Sequence, residues 1–280
     1  MVRVLLFGHT GKLGQALFRA FEPRHEVSGC SASTGCDAGD PVQVRARIAA
    51  VRPQLVVNAA ALNGLEACEG RPELAMRLNA LLPRLLAEDA AEVGYRLVHF
   101  STDAVFDGAR TAGCYLESDP AAPINVYGLT KYGGDCFVQA ANADAWIFRL
   151  SMLAGAPGSR EQFVERMLRR AKAGEPLRVA DDITCSPSFA DDVARAVAHH
   201  VEADGDPGLF HLANAGQVTL FELIRELVDL LGLGVTVTPV RHETFPSKAR
   251  KNPCTPLASA RLAAPLRDWR AAMRAYCATL

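Results

Sequence analysis

The sequence predicts an α/β protein with a doubly wound parallel sheet and a smaller, discontinuous α/β lobe. In the first half of the 280 residues, short apolar runs alternate with longer amphipathic segments, as in β-α-β units. After about Ser151 this alternation loosens, and Pro, Gly and charged residues become more frequent. We therefore expect a first domain over residues 1–150, to which the chain returns at roughly 185–205 and 262–280. The lobe is expected mainly within 151–261.

The predicted strands are short and largely apolar. Val2–Phe7 has the continuous apolar character of a strand that is buried on both faces. The other predicted strands of the first domain are Glu26–Cys30, Gln54–Asn58, Arg96–Ser101 and Ala145–Leu150.

The helices are predicted from apolar spacing and from their end signals. Lys12–Glu22 places its apolar residues on one face. Asp40 followed by Pro41 is a typical helix start, and this helix should end near Arg52. A long helix from Pro72 to about Gly94 contains Pro83, so it either kinks or divides in two. Further predicted helices are Asn125–Ala141, Gln162–Lys172, Asp191–Val201 and Leu220–Leu231.

Composition and charge exclude several classes of protein. The 30 Lys and Arg residues balance 31 Asp and Glu residues, so no basic excess favours nucleic-acid binding. No run of eighteen apolar residues predicts a membrane span, and the apolar N-terminal run is too short for a signal peptide. The eight cysteines are scattered, without a Cys/His cluster at metal-ligand spacing. We expect reduced thiols, a cytoplasmic location and no metal site.

A glycine-rich segment, Gly8-His-Thr-Gly11-Lys-Leu-Gly14, lies between the first strand and the first helix. Glycines at this spacing allow a tight turn, a close backbone approach to a pyrophosphate and close packing of helix on sheet. The helix N-terminus adds free N–H groups and a partial positive charge. The position directly after an apolar strand favours a Rossmann-type dinucleotide site over an ordinary turn.

The residues after the second strand indicate which dinucleotide is bound. A NAD site usually carries Asp or Glu here for the ribose 2′-OH, whereas this chain has Cys30-Ser31-Ala-Ser-Thr34. Hydroxyl groups and Lys12 could accept a 2′-phosphate, so NADP(H) is favoured and NAD(H) is left open. Asp37 either contacts the adenine or serves only as a turn residue.

Three further residues suggest proton-transfer chemistry. Tyr127 and Lys131 are four residues apart on a predicted helix and therefore share a face. Ser101-Thr102-Asp103 follows a buried strand, at the edge of the sheet where ligands bind in such folds. A nearby ammonium lowers the pKa of a phenol, so Tyr127 could protonate an alkoxide while the Thr102 hydroxyl polarises the carbonyl oxygen.

Together these segments resemble the extended short-chain dehydrogenase/reductase family, and within it the dTDP-4-dehydrorhamnose reductase branch. The combination of Ser101-Thr-Asp-Ala-Val-Phe-Asp-Gly108 with Val126-Tyr-Gly-Leu-Thr-Lys131 is specific to this branch, and weaker similarities cover nearly the whole chain. The resemblance implies hydride transfer to the 4-keto group of a nucleotide-linked deoxysugar. Tyr127 would be the proton donor, Lys131 its partner and Thr102 the third member of the triad.

The resemblance also extends the predicted site. The full set of expected cofactor-binding residues is Gly8, Thr10, Gly11, Lys12, Leu13, Gly14, Ser31, Asp37, Ala38, Asn58, Ala59, Ala60, Ala61, Asn79, Ser101, Tyr127 and Lys131. The expected substrate-binding residues are Ala104, Val105, Phe106, Met152 and Arg250.

Two pocket positions depart from the pattern of the branch. Ala104 replaces a Tyr and Met152 replaces a Trp, which removes stacking surface and hydrogen-bonding capacity. Either the pocket repacks silently, or the enzyme takes a different sugar, gives a different stereochemical outcome or acts on a bulkier substrate.

Other functions on the same scaffold remain as alternatives. Ala104 also replaces the acidic residue of nucleotide-sugar dehydratases, which argues against elimination. The absence of an acidic residue after the second strand argues mildly against an epimerase. A non-catalytic, cofactor-binding regulatory subunit of the methionine adenosyltransferase beta type shares much of the Tyr–Lys signature. A homodimer is an expectation from the resemblance alone.

Overall fold

The computed structural model describes residues 1–142, 144–155 and 161–280. The described strands are β1 (Arg3–Phe7), β2 (Glu26–Cys30), β3 (Leu55–Asn58), β4 (Arg96–Thr102), β5 (Trp146–Leu150), β6 (Leu153–Ala154), β7 (Leu177–Ala180), β8 (Thr184–Cys185), β9 (Ser188–Phe189), β10 (Gly208–His211), β11 (Asn214–Ala215), β12 (Val218–Thr219), β13 (Val237–Val240) and β14 (Leu266–Asp268). The described α-helices are α1 (Lys12–Phe21), α2 (Pro41–Val51), α3 (Leu65–Gly70), α4 (Pro72–Met76), α5 (Leu82–Val93), α6 (Val126–Ala141), α7 (Phe163–Lys172), α8 (Ala190–Glu202), α9 (Leu220–Leu230) and α10 (Trp269–Cys277).

A parallel sheet of six strands, in the order β10-β5-β4-β3-β1-β2, forms the centre of the molecule. From β1 the chain passes to β2 on one side and then to β3 on the other. The strand order therefore reverses between β1 and β3. In open α/β sheets the crevice at such a reversal binds ligands beyond the carboxyl ends of the strands.

Helices cover both faces of this sheet, which is the predicted doubly wound arrangement. On one face, residues of α1 and α8 pack with Val4, Leu6 and Phe148. On the other face, residues of α2, α5 and α6 pack with Leu5 and Phe7. Because β1 sends alternate apolar side chains into both layers, its sequence is continuously hydrophobic.

A second apolar core defines the smaller lobe. It contains residues of α7, α9 and α10, together with side chains from β7, β8 and β9. Two elements do not belong to the part of the molecule that the predicted boundaries assigned to them. Strand β10 joins the central sheet although its residues fall within 151–261, and α10 packs in the lobe although 262–280 was expected to return to the first domain.

The segment from Pro72 to Gly94 divides into two α-helices, which was one of the two predicted alternatives. A wide π-helical turn, Arg77–Leu81, separates α4 from α5. Pro83 has no N–H to donate to the carbonyl of Asn79, so the regular helical ladder is interrupted at this point. The turn places Asn79 against α6.

The expectation that all cysteines are reduced is wrong for one pair. Cys30 and Cys36 form a disulfide, with their Cα atoms 5.6 Å apart. The sequence gave no such signal because a separation of six residues is not a disulfide motif, and the loop that brings the two together is visible only in three dimensions. In the described residues, no helix has both the length and the apolar character to cross a membrane.

Candidate active site

The glycine-rich turn after β1 has the shape needed to cradle a dinucleotide. Gly8 has a φ of +79°, and a Cβ atom there would lie 2.7 Å from the backbone of Ala59 after β3. A Cβ on Gly14 would lie 2.1 Å from the carbonyl oxygen of Gly8. The backbone of the turn is therefore packed against β3 and α1 with no room for side chains. This geometry fits a pyrophosphate at the N-terminus of α1.

Hydroxyl groups lie where the adenosine ribose of a dinucleotide would be expected. The Ser31 hydroxyl accepts a hydrogen bond from the Thr10 backbone N–H at 3.3 Å and lies 3.0 Å from His9 Nδ1. The hydroxyl groups of Thr10 and Ser33 are 3.1 Å apart. His9 thus holds the loop after β2 next to the glycine turn, a contact that the sequence did not indicate.

Lys12 and Asp37, which were also predicted to lie near the adenosine end of the cofactor, make other contacts. Lys12 is buried, and its Nζ donates to the Gly155 carbonyl at 2.9 Å and forms an ion pair with Glu165 of α7 at 2.5 Å. Its ammonium is therefore committed to the lobe and not to the Ser31 loop. Asp37 is exposed and accepts the Gly39 N–H at 2.8 Å, which is the turn role that the sequence left open.

The ends of β3 and β4 place polar side chains beside the strand-order reversal. The Asn58 amide lies 3.3 Å from His99 Nδ1 and accepts the Ala60 N–H at 3.3 Å. The buried Ser101 hydroxyl is without a hydrogen-bond partner among the described residues. The Asp135 carboxylate of α6 lies close to this hydroxyl.

Asn79 differs from its predicted role in lining the cofactor cleft. It has no exposed surface, and its amide both accepts from and donates to the backbone of Leu62, at 2.9 and 3.1 Å. It also donates to the Thr130 hydroxyl at 3.2 Å. Asn79 therefore fixes the loop after β3 against α6 from behind the cleft.

The predicted catalytic residues come together at the end of β4. Tyr127 and Lys131 lie on the same face of α6, and the Lys131 ammonium donates to the carbonyl oxygen of Phe100. Burial lowers the pKa of Lys131 to about 8, while the Asp135 carboxylate acts in the opposite direction. Burial raises the pKa of Tyr127, and the neighbouring Thr102 hydroxyl partly offsets this rise. The site thus pairs a protonated phenol with an ammonium that titrates near neutral pH.

A buried charged group behind Lys131 was missed from the sequence. Asp135, four residues after Lys131, forms an ion pair with Arg149 at 3.0 Å, and its other oxygen lies 3.8 Å from His99 Nε2. Burial lowers the pKa of His99 well below its usual value, so the imidazole is neutral. The recurrence of polar residues at 127, 131 and 135 on one helix face could have indicated Asp135.

The carboxylate of Asp103 is the second feature that was missed. It accepts hydrogen bonds from the hydroxyl groups of Thr102, Ser151 and Thr255, at 3.0, 2.7 and 2.8 Å. Burial raises the pKa of Asp103, and these hydroxyl donors oppose the rise. The sequence did not indicate this cluster, because Ser151 and Thr255 are distant from Asp103 in the chain.

The predicted substrate residues divide into two groups. Val105 and Phe106 have no exposed surface, and Phe106 stacks on Tyr115 at a centroid distance of 4.1 Å. We therefore correct the expectation that these two side chains contact substrate, since they pack in a small apolar cluster. Ala104 lies next to α6, where a Cβ on Gly128 would meet its carbonyl oxygen at 2.1 Å. Met152 is partly buried and packs against the core of the lobe.

The segment around Arg250 lies beside the start of α6. The Asn125 side chain, which caps this helix, donates to the Arg250 carbonyl at 3.0 Å and to Asn252 at 2.8 Å. The Arg250 side chain itself is exposed. The structure therefore places the backbone of Arg250 beside the start of α6 and leaves its guanidinium exposed.

Within the part of the chain that the structure describes, one cluster of potential metal ligands lies outside this site. It consists of Asp182, His242 and Glu243. Asp182 already accepts from His242 Nδ1 at 2.7 Å and pairs with Arg241 at 3.2 Å. Because the Asp182 carboxylate already pairs with Arg241 and accepts a hydrogen bond from His242, the cluster is explained as an ion-pair and hydrogen-bond network.

Comparison with known proteins decides the family. Residues 2–280 match the family described as the RmlD substrate binding domain. The dTDP-4-dehydrorhamnose reductase of Escherichia coli K12 is 34% identical over 263 residues, which cover 89% of this chain and 87% of the relative. The chain belongs to the dTDP-4-dehydrorhamnose reductase family. The resemblance inferred from the sequence is confirmed.

Two further relatives of this reductase family extend the comparison. A probable dTDP-4,6-dihydroxy-2-methyloxan-3-one 4-ketoreductase of Streptomyces antibioticus is 35% identical over 280 residues, covering 98% of this chain and 94% of the relative. The crystal structure of dTDP-4-dehydrorhamnose reductase from Bacillus anthracis in complex with NADP has a TM-score of 0.93 at 27% identity, covering 100% and 99% of the two chains. The predicted fold is confirmed, as is the predicted enzyme class, an NAD(P)H-dependent oxidoreductase of the short-chain dehydrogenase/reductase type.

Proposed function

We propose that this protein uses NADPH to reduce the 4-keto group of a nucleotide-linked deoxysugar, with Tyr127 as the proton donor. The observation that carries the proposal is the convergence of Tyr127, Lys131 and Thr102 at the end of β4, beside the glycine turn. Membership of the reductase family supports the substrate class, and the NADP complex of a relative supports the cofactor. Homodimer formation and a cytoplasmic location stay predictions from the sequence.

The preference for NADPH over NADH rests on the loop after β2. Its first residues, 31–34, offer the Ser31 and Ser33 hydroxyls and no carboxylate to repel a 2′-phosphate. Since Lys12 is bound to Glu165, the hydroxyl groups and backbone of this loop would make the phosphate contacts.

In the proposed mechanism each residue has a separate task. When bound, the nicotinamide cofactor supplies the hydride that reduces the ketone. Tyr127 holds its proton on Oη, because burial raises its pKa, and delivers it to the oxygen of the reduced carbonyl. Lys131, held by the Phe100 carbonyl, places a positive charge beside the resulting phenolate and stabilises it.

The departures from the branch pattern at Ala104 and Met152 affect one part of the proposal, the identity of the sugar that is recognised. Both positions carry smaller or more flexible side chains than the aromatic residues typical of the branch. The relative from Streptomyces, whose name specifies a different 4-keto sugar, shows that close relatives differ in the named substrate. A panel of sugars is therefore needed.

The test is oxidation of NADPH, followed by absorbance, with a panel of 4-keto-6-deoxy nucleotide sugars. We expect one sugar to be reduced by the wild type, and Tyr127→Phe to lower kcat by at least about 100-fold. NADPH affinity, measured by fluorescence titration, should change less than about twofold in this variant. Unchanged turnover in Tyr127→Phe would refute the proton-donor assignment. Tight NADPH binding without turnover of any sugar would refute the proposed reductase function.

A further inference from the structure

The segment 241–252 crosses from the lobe to the first domain beside the start of α6, and we call it the strap. It follows β13 directly. Asp182 holds its first turn by accepting hydrogen bonds from the N–H and Nδ1 of His242, at 2.9 and 2.7 Å. Near the other end, the Asn125 side chain donates to the Arg250 carbonyl at 3.0 Å. Because Asn125 caps α6, the strap is fixed beside the end of the helix that carries the proposed proton donor.

A carboxylate of the first domain holds the middle of the strap. Oε1 of Glu66, on α3, accepts from the Ser247 hydroxyl at 2.5 Å and from the backbone N–H groups of Lys248 and Ala249 at 3.0 and 3.3 Å. Its Oε2 lies 3.3 Å from the Lys248 nitrogen. These donors, the Ser247 hydroxyl first, lower the pKa of Glu66, so its side chain is ionised at neutral pH. Three consecutive residues of the strap thus share one charged acceptor.

We propose that Glu66 is a positioning residue for the nucleotide-linked substrate: its carboxylate holds the strap in the conformation to which the substrate binds, and so lowers the KM for the sugar without taking part in hydride or proton transfer. This inference rests on the proposed function, because it concerns how the substrate of that reaction is bound.

The charge of the strap supports a role in substrate binding. Lys248 and Arg250 have exposed side chains. The Lys251 ammonium instead donates to the carbonyl groups of His242 and Phe245, both at 3.3 Å, and closes the strap into a loop. A diphosphate carries negative charge and only acceptor oxygens, so it is attracted by exposed ammonium and guanidinium groups. The strap therefore complements the diphosphate of a nucleotide-linked sugar.

Hydrogen bonds, more than apolar packing, keep the strap in place. Of residues 241–252 only Ala249 is buried, and the Phe245 ring is 37% exposed. A segment with so few buried contacts opens easily, and ordering it when the substrate binds costs conformational entropy. Hydrogen bonds to a charged acceptor are stronger than those between neutral groups, so Glu66 fixes the strap before the substrate arrives. Less ordering is then left for substrate binding to bring about, which is why we expect an effect on KM.

The first experiment compares KM with kcat in Glu66→Gln, which keeps the size of the side chain and removes its charge. For the sugar that the wild type reduces, KM should rise about fivefold or more, whereas kcat and the affinity for NADPH should change less than about twofold. Glu73→Gln, at an exposed glutamate of α4, is the matched control. Equal KM values for the two variants, or a loss of kcat without a rise in KM, would overturn the proposal.

The second experiment does not require turnover. Relatives are named for dTDP-linked sugars, so the probe is thymidine diphosphate, and its affinity is measured by calorimetry. Glu66→Gln should bind this probe about fivefold or more weakly than Glu73→Gln does. Equal affinities, or no measurable binding to the wild type, would overturn the inference even if no sugar were reduced. Weaker binding to Glu66→Gln without turnover of any sugar would support the inference while the proposed function fails, so the two failures are distinct.

The third experiment tests whether the effect passes through the strap. Trypsin cleaves after Lys and Arg, so cleavage after Lys248, Arg250 or Lys251, identified by mass spectrometry, reports opening of the strap. Without ligand, Glu66→Gln should be cleaved there at least about threefold faster than Glu73→Gln, and thymidine diphosphate should slow the cleavage of the wild type. Equal cleavage rates of the two variants would contradict the proposal, because Glu66 would then not hold the strap.

Discussion

Asp135 lies one helical turn after Lys131 on α6, and its carboxylate raises the pKa of the lysine that burial lowers. The two opposing effects leave the pKa of Lys131 at about 8. Asp135 is in turn held by Arg149 at 3.0 Å. Burial and the ion pair behind the lysine, acting in opposite directions, therefore set the protonation of the proposed catalytic lysine.

The pH dependence of kcat/KM should follow the protonation of Lys131. Loss of the Lys131 proton removes the positive charge beside Tyr127, so kcat/KM should fall as the pH rises above about 8. Asp135→Asn should move this fall to lower pH by about one unit, because it removes a charge that favours the ammonium. The measurement is a pH profile of NADPH oxidation for both proteins.

Measurements of the free energy of unfolding against pH distinguish loss of the Lys131 proton from loss of the folded protein. The folded pKa of Lys131, about 8, is below the value of 10.5 expected for an exposed lysine. Between these two pH values the unfolded chain binds more protons, so the contribution of Lys131 to the free energy of unfolding increases with pH. Activity lost above pH 8 in parallel with a loss of folded protein would contradict the titration of Lys131.

The glycine turn gives a prediction about cofactor binding. Gly14→Ala would place a Cβ 2.1 Å from the Gly8 carbonyl oxygen, which only a shift of the turn or of α1 can relieve. We expect a loss of NADPH affinity of about tenfold or more, measured by fluorescence titration. Gly70→Ala is the matched control, since no atom lies within 4 Å of its Cβ position and its φ is not positive. Equal affinities of the two variants would show that the turn does not hold the pyrophosphate.

The fold was predictable because local patterns determine it. The end of α1, the strand Glu26–Cys30 and the Asp40 cap of α2 follow from apolar spacing and capping chemistry. The placement of Tyr127 and Lys131 on one face of α6 and of Thr102 at the end of β4 was also predictable, because helix periodicity and the end of the strand determine it. The partners of Asp103 could not, because Ser151 and Thr255 meet it only through the packing of the lobe on the sheet.

Lys12 illustrates the same limit for a single side chain. Its place in the glycine turn suggested a contact with a 2′-phosphate, but the ammonium instead pairs with Glu165, 153 positions later in the chain. A sequence pattern locates the backbone of a turn well. It does not determine which of several nearby anions a long, flexible lysine side chain will reach.

The Lys12–Glu165 pair leads to a prediction about stability and cofactor choice. Lys12→Met should lower the free energy of unfolding by about 1–3 kcal/mol, because it leaves the Glu165 carboxylate without its cation. The double variant Lys12→Met/Glu165→Gln should recover part of this loss. The ratio of NADPH to NADH affinities should stay within about twofold of the wild type, since the ammonium faces the lobe. A selective loss of NADPH affinity in Lys12→Met would restore the phosphate contact predicted from the sequence.

The Cys30–Cys36 disulfide should strengthen NADPH binding by restraining the loop that carries Ser31 and Ser33. The loop closes between the two cysteines, and Ser31 bonds to the Thr10 N–H of the glycine turn. Without the disulfide the loop gains conformational freedom that cofactor binding must remove. Cys36→Ser should therefore weaken NADPH binding by about threefold or more, and treatment of the wild type with a thiol reductant should have the same effect. Cys136→Ser, at an exposed cysteine of α6, is the control. If Cys36→Ser binds NADPH as tightly as Cys136→Ser does, the loop is held by its hydrogen bonds alone and the disulfide has no part in cofactor recognition.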